Sequence, residues 1–120
     1  MPTKFKDDLE KCRQANQAIE DLTAALGIKT EAAKTFVHFA LANALLMDRK
    51  QQDYGPRNIS GFGTFGVTVR MNDKMERLKT LFNRGRRARA VNESIEDTFR
   101  DISNYAIIAL MIERNEWPNE

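Results

Sequence analysis

Residues 93–112 read ESIEDTFRDISNYAIIALMI, with no glycine or proline to interrupt them. With successive side chains ~100° apart on a helix, Glu93, Asp97, Asp101 and Asn104 fall within about a quarter-turn sector. Ile95, Phe99, Ile102, Ala106 and Ala109 lie on the opposite side. This spacing predicts an amphipathic helix. Farther along the acidic sector come Ile108, Met111 and Ile112, so the face that opens on three carboxylates ends apolar and has to be covered. An unpaired charge beside a covered apolar surface is strongly unfavourable. The carboxylates are therefore expected to serve a cation, as a divalent-metal site.

Outward from this stretch, the breaks in the chain are Pro2, Gly27, the segment 55–66, Gly85 and Pro118. Between them the apolar period is helical, which predicts an all-α, four-helix bundle-like single domain over residues 1–120 with little or no sheet. The fourth helix is expected to open at Ser94, with Asp97 placed for a capping box, a role that competes with metal binding. The third spans about residues 65–83, with Val67, Met71, Met75, Leu78 and Phe82 as its core face. Arg70, Lys74 and Arg77 run along the border of that face in a sector shared with Leu81, and Asp73 lies a little farther out. Cations so placed suit either the acids of the fourth helix or the phosphates of a bound nucleotide, since Arg offers bidentate contacts and Lys a point charge.

The connection before it, DYGPRNISGFGTFG, holds four of the six glycines and is expected to be an irregular loop. Its aromatics, Tyr54, Phe62 and Phe65, either stack on a flat base or pin the loop to the core. The second helix is expected from an N-cap at Thr30 to about Asp53, apolar in nearly every direction and hence central. Asn43 and Lys50 share the stripe of Phe36, Met47 and Tyr54, which aims their polar ends at an interior groove. His38 reads as a core or boundary residue. The first helix, about residues 3–26, carries one narrow stripe of Phe5, Leu9, Cys12, Ile19, Leu22 and Leu26 and is expected on the outside, capped by Gly27. Its near-heptad spacing also suits a seam with another subunit.

Charged residues make up 30% of the 120 and hydrophobic ones 42%, a globular balance. The net charge of +2 does not itself call for a polyanion, although Arg84, Arg86, Arg87 and Arg89 form a basic turn suited to nucleic acid or to a triphosphate. One cysteine, Cys12, and one histidine, His38, exclude a disulfide framework and a Cys/His zinc site within one chain. They also leave no Ser/His/Asp or Cys/His nucleophile to assemble. The N-terminus lacks a signal-peptide core and no run approaches the ~18 apolar residues of a membrane span. A soluble cytoplasmic protein with no membrane partner is expected.

Two carboxylate pairs share helical faces: Asp73 with Glu76 at i, i+3, and Asp97 with Asp101 at i, i+4. Oxygen-only ligands suit Mg2+ or Mn2+, and Mg2+ is usually held by a few carboxylates together with substrate phosphates. Three ordered words follow one another: Lys50-x-x-Asp53-Tyr54-Gly55, then Arg70-x-x-Asp73-Lys74-x-x-Arg77-Leu78-x-x-Leu81, then Glu93-x-x-Glu96-Asp97-x-x-x-Asp101-x-x-Asn104-Tyr105. Over about residues 36 to 112 they resemble the nucleotide modification associated domain of phages and bacteria. That family looks like a branch of the all-α NTP pyrophosphatases, the MazG-like superfamily.

The resemblance implies an oligomeric helical bundle, dimeric or higher, that cleaves a nucleoside triphosphate between its α- and β-phosphates. It implies acidic ligands from a Glu-x-x-Glu pair and a Glu-x-x-Asp pair. The second maps onto Glu93, Asp97 and Asp101 at a spacing of four rather than three, and Asp73-x-x-Glu76 is the nearest candidate for the first. The expected activity is a Mg2+-dependent (deoxy)nucleoside triphosphate pyrophosphohydrolase, with modified nucleotides as candidate substrates. In it Asp97 and Asp101, with Glu93 and Asp73, hold the metal. Arg70, Lys74 and Arg77 offset charge on the leaving pyrophosphate. Lys50, Tyr54, Phe62 and Asn104 contact the nucleotide. The departure from Glu-x-x-Glu supports an alternative of another class, a protein that sequesters a nucleotide or cyclic nucleotide without turnover. A nucleic-acid-binding module working through the arginine turn is the less favoured third reading.

Overall fold

A computed structural model describes residues 4–85 and 89–118, with the Arg89 side chain left aside. Among these residues the protein is all-helical, with α1 (Phe5–Gln14), α2 (Asn16–Ala25), α3 (Glu31–Tyr54), α4 (Arg57–Ser60), α5 (Gly63–Asn83) and α6 (Arg89–Glu113). Six helices replace the four expected. The chain forms two compact units, residues 1–49 and 50–120, so that α3 contributes to both. No described helix is long and apolar enough to cross a membrane.

In the first unit Phe5, Leu9 and Cys12 recur at helical spacing and, with Ile19, pack on Val37, Leu41, Ala42 and Leu45 of α3. Ala42 is wholly buried, and its small side chain lets the neighbouring helix approach closely. Phe5 meets Phe39 edge to face, with ring centres 5.4 Å apart. The expected continuous first helix is interrupted at Ala15, whose φ of −96° and ψ of 21° leave the helical range. No glycine or proline marks this break, and beyond it the predicted stripe fails: Leu22 and Leu26 are exposed. Nor is α3 apolar all round in use, since Phe36 and Phe39 are exposed too.

The boundaries of these helices follow their cap chemistry. Gly27, at φ +76°, donates to the Ala24 carbonyl while the Ile28 amide donates to Thr23, the paired bonds of a Schellman closure. Thr30 then caps α3, its Oγ1 accepting the Ala33 amide at 3.1 Å. One tertiary ion pair anchors the unit: Arg49 donates through both Nη atoms to the two oxygens of the buried Asp8, each at 2.8 Å. Burial, with the nearby Asp8 charge, pushes the Cys12 thiol pKa up.

In the second unit α5 and α6 form a hairpin. Leu78 and Leu81 pack with Ile95, Val91 and Ile102 near the connection, and Lys74 reaches Asp101 farther from it, so the two helices run antiparallel. Leu81, expected on the cationic border, lies in the core, whereas Met75 and Phe82 of the predicted core face are exposed. The helix expected from Ser94 starts at Arg89, because Val91 continues the apolar period into the core. Ser94 is therefore inside α6, where its carbonyl accepts the Thr98 hydroxyl, and the expected Ser94–Asp97 capping box is absent. The glycine-rich connection is more regular than expected, since it contains α4 and α5 opens at Gly63. Trp117 is buried and its indole N–H donates to the Pro56 carbonyl at 3.0 Å, tying the chain after α6 to the start of α4. Of the arginine turn, Arg86, Arg87 and the Arg89 side chain lie outside the described residues.

Candidate functional site

The acidic row of α6 divides. Asp97 is exposed and Glu93 half-buried, but the Asp101 side chain is only 13% exposed. One turn of helix changes the environment because α6 packs along a stripe rather than all round. Asp101 faces two ammonium groups: Lys50 Nζ lies 2.7 Å from Oδ1 and Lys74 Nζ lies 3.0 Å from Oδ2. One carboxylate thus holds two like charges near each other. Without it they would repel across a short gap.

Lys50 and Asp101 line a cleft of about 260 Å³ that lies within the second unit. Its floor and walls include Ile59 and Ile108, and two phenol rings, Tyr54 and Tyr105, border it. Polar contacts come from Gln51, Asn58, Asn104 and Arg70. Arg70 is oriented by a 2.8 Å hydrogen bond from Nη2 to the Asn58 carbonyl. A guanidinium carries five N–H donors and an ammonium three. Among the described residues the remaining donors of Arg70, Lys50 and Lys74 have no protein acceptor. An apolar base, two aromatic rings and unspent cationic donors form a surface for a flat, anionic ligand.

Of the residues singled out from sequence, Lys50, Tyr54, Arg70, Asp101 and Asn104 meet at this cleft, and Lys74 joins through Asp101. Phe62, expected against a base, is 88% exposed and does not line it. Asp73 and Arg77 are exposed on α5, outside the lining. Asn58 and Tyr105 join the site without having been singled out for it. Tyr105 was legible only as the neighbour of Asn104 in the third word, while Asn58 sits on a short helix that no periodicity announced.

The donor set does not match a resident divalent cation. Among the described residues no three Asp, Glu, His or Cys side chains converge as metal ligands. Both oxygens of the cleft's carboxylate already face lysine ammonium groups, 2.7 and 3.0 Å away, whereas a Mg2+ ligand must turn its oxygen to the ion. A second hollow, about 300 Å³, lies in the first unit between Arg13, Asn16, Thr35 and His38 over Leu9 and Phe39. His38 is half-buried there, the boundary position its sequence context predicted.

A family model for Nucleotide modification associated domain 1 matches residues 50–112, the stretch that contains the whole cleft. No curated protein and no solved structure matches the chain.

Proposed function

Since the chain belongs to the Nucleotide modification associated domain 1 family, we propose that it binds a phosphorylated nucleoside in the cleft of residues 50–108. The observation that carries this reading is the composition of that cleft: Lys50 and Arg70, with Lys74 behind Asp101, beside Tyr54 and Tyr105. The cations take the phosphate, with Arg70 offering a planar fork and the lysines point charges. The tyrosines take the base by stacking, which tolerates any base because each has a π-face. Asn58 and Asn104 supply amides that read its edge.

Pyrophosphohydrolase activity of the MazG-like kind is the second reading. It rests on the resemblance and on the unbroken α6, which carries Glu93, Asp97 and Asp101 at i, i+4 and i+8, and it requires Asp101 to exchange its lysine partners for a metal ion. A thermal-shift and calorimetric panel of nucleosides and nucleotides, with and without Mg2+, tests both, with pyrophosphate release followed in parallel. Binding without product supports the first reading. Metal-dependent pyrophosphate release installs the second, and a protein indifferent to every nucleotide refutes both. We further propose that the protein works as a homo-oligomer. Phe99 and Leu110 are exposed on one side of α6, three turns apart with the small Ala106 between them.

A further inference from the structure

We propose that the ligand is specifically a nucleoside monophosphate, taken as its dianion and without a metal ion. This rests on the nucleotide-binding reading above and narrows it to one charge state.

Lys50 and Arg70 line the cleft with Asp101, and Lys74 pairs with that carboxylate from outside the lining, so the four side chains together carry a net charge of +2. A phosphate monoester carries about −1.5 to −2 at neutral pH, so it neutralises that surplus almost completely. A triphosphate brings more negative charge than the cleft can offset, and ordinarily arrives with Mg2+ held partly by protein carboxylates. Among the described residues, the only carboxylate lining this cleft is already paired with Lys50 and Lys74. A phosphodiester, including a cyclic nucleotide, carries one charge per phosphate and leaves the surplus unmet.

Asp101 has a second effect on selectivity. By pairing with both Lys50 and Lys74 it keeps one ammonium group 2.7 Å from its first oxygen and another 3.0 Å from its second. Lys50, in the lining, is thereby held in place to donate its remaining N–H bonds to a compact, doubly charged group, which lowers the ordering cost of binding. Size agrees with charge: about 260 Å³ lies just below the ~300–1,000 Å³ usual for small-molecule pockets. Such a volume holds a base, a sugar and one phosphate more readily than a polyphosphate chain.

The test is calorimetry on the full chain with thymidine, its 5′-monophosphate, the methyl ester of that monophosphate and the 5′-triphosphate, the last with and without Mg2+, repeated in the deoxycytidine and deoxyadenosine series. The monophosphate is expected to bind at least about tenfold more tightly than the nucleoside or the methyl ester, as two or more charge-assisted hydrogen bonds allow. The triphosphate is expected to gain nothing further, with or without Mg2+. A triphosphate that binds tenfold more tightly than the monophosphate, or only with Mg2+, overturns this inference and leaves nucleotide binding standing. A methyl ester equal to the monophosphate overturns it as well. Absence of binding by every nucleotide in the three series removes both this inference and the reading beneath it. Lys50→Met and Arg70→Met, checked for folding by far-ultraviolet circular dichroism, are expected to abolish the advantage of the monophosphate over the nucleoside. If a folded variant keeps that advantage, the assignment of the phosphate subsite is wrong.

Discussion

Replacing Asp101 by asparagine separates the role of this carboxylate as an internal counter-ion from a role as a metal ligand. The side chain keeps its shape and loses its charge, so Lys50 and Lys74 face each other with only a neutral amide between them. Charge-assisted hydrogen bonds in protected settings contribute ~1.5–3 kcal/mol each, but exposed ion pairs only ~0.2–1. Lys50 is 45% exposed and Lys74 29%, so both bonds belong toward the lower figures. A loss of about 1–2 kcal/mol follows, which for a chain of this length lowers Tm by roughly 4–10 °C. Affinity for an anionic nucleotide should move the other way. Removing one negative charge a few ångströms from the phosphate is worth about 1 kcal/mol in water and several times more in a cleft sheltered from water, so binding tightens by about tenfold or more. The assay pairs thermal denaturation with calorimetric titration of thymidine monophosphate and triphosphate, the triphosphate gaining more. The reasoning is refuted if affinity falls together with Tm, or if the substitution removes a Mg2+-dependent signal that the parent protein shows.

The remaining predictions concern the scaffold. Asp8→Ala leaves Arg49 without its bidentate acceptor in a buried setting, where breaking such a pair costs ~3–5 kcal/mol; because Arg49 is 34% exposed, about 2 kcal/mol is expected, read by urea denaturation. A change below about 0.5 kcal/mol would show the pair to be incidental. The Cys12 thiol has a raised folded-state pKa, so the native state retains its proton more strongly than the unfolded chain does, and this contribution to stability is full below the unfolded value near 9.0 and lost as pH climbs through the folded one. Stability should drop above pH 9 more steeply in the parent than in Cys12→Ala, and equal slopes would contradict it. Light scattering coupled to size exclusion should return a dimer or larger, and Phe99→Glu with Leu110→Glu should give monomers that keep the helical circular dichroism of the parent. A parent that is monomeric at high micromolar concentration ends the oligomer proposal.

Residues alone determined that this chain is helical, where α3 begins and α2 closes, and which family it belongs to. Thr30, Gly27 and the 3.6-residue apolar period are local signals, and each acts through neighbours within a turn or two. The same locality explains the misses: the break at Ala15 has no residue signature, and the start of α6 at Arg89 depends on Val91 finding a core to enter. Periodicity also placed Asp97 and Asp101 on one face, which made them look equivalent. Only tertiary packing separated them, leaving one in solvent and setting the other between Lys50 and Lys74, the former 51 residues away in the chain. A helical repeat states which side chains share a face, but the charge that a face meets depends on which other helix lies against it, and that is settled by burial of the whole core at once.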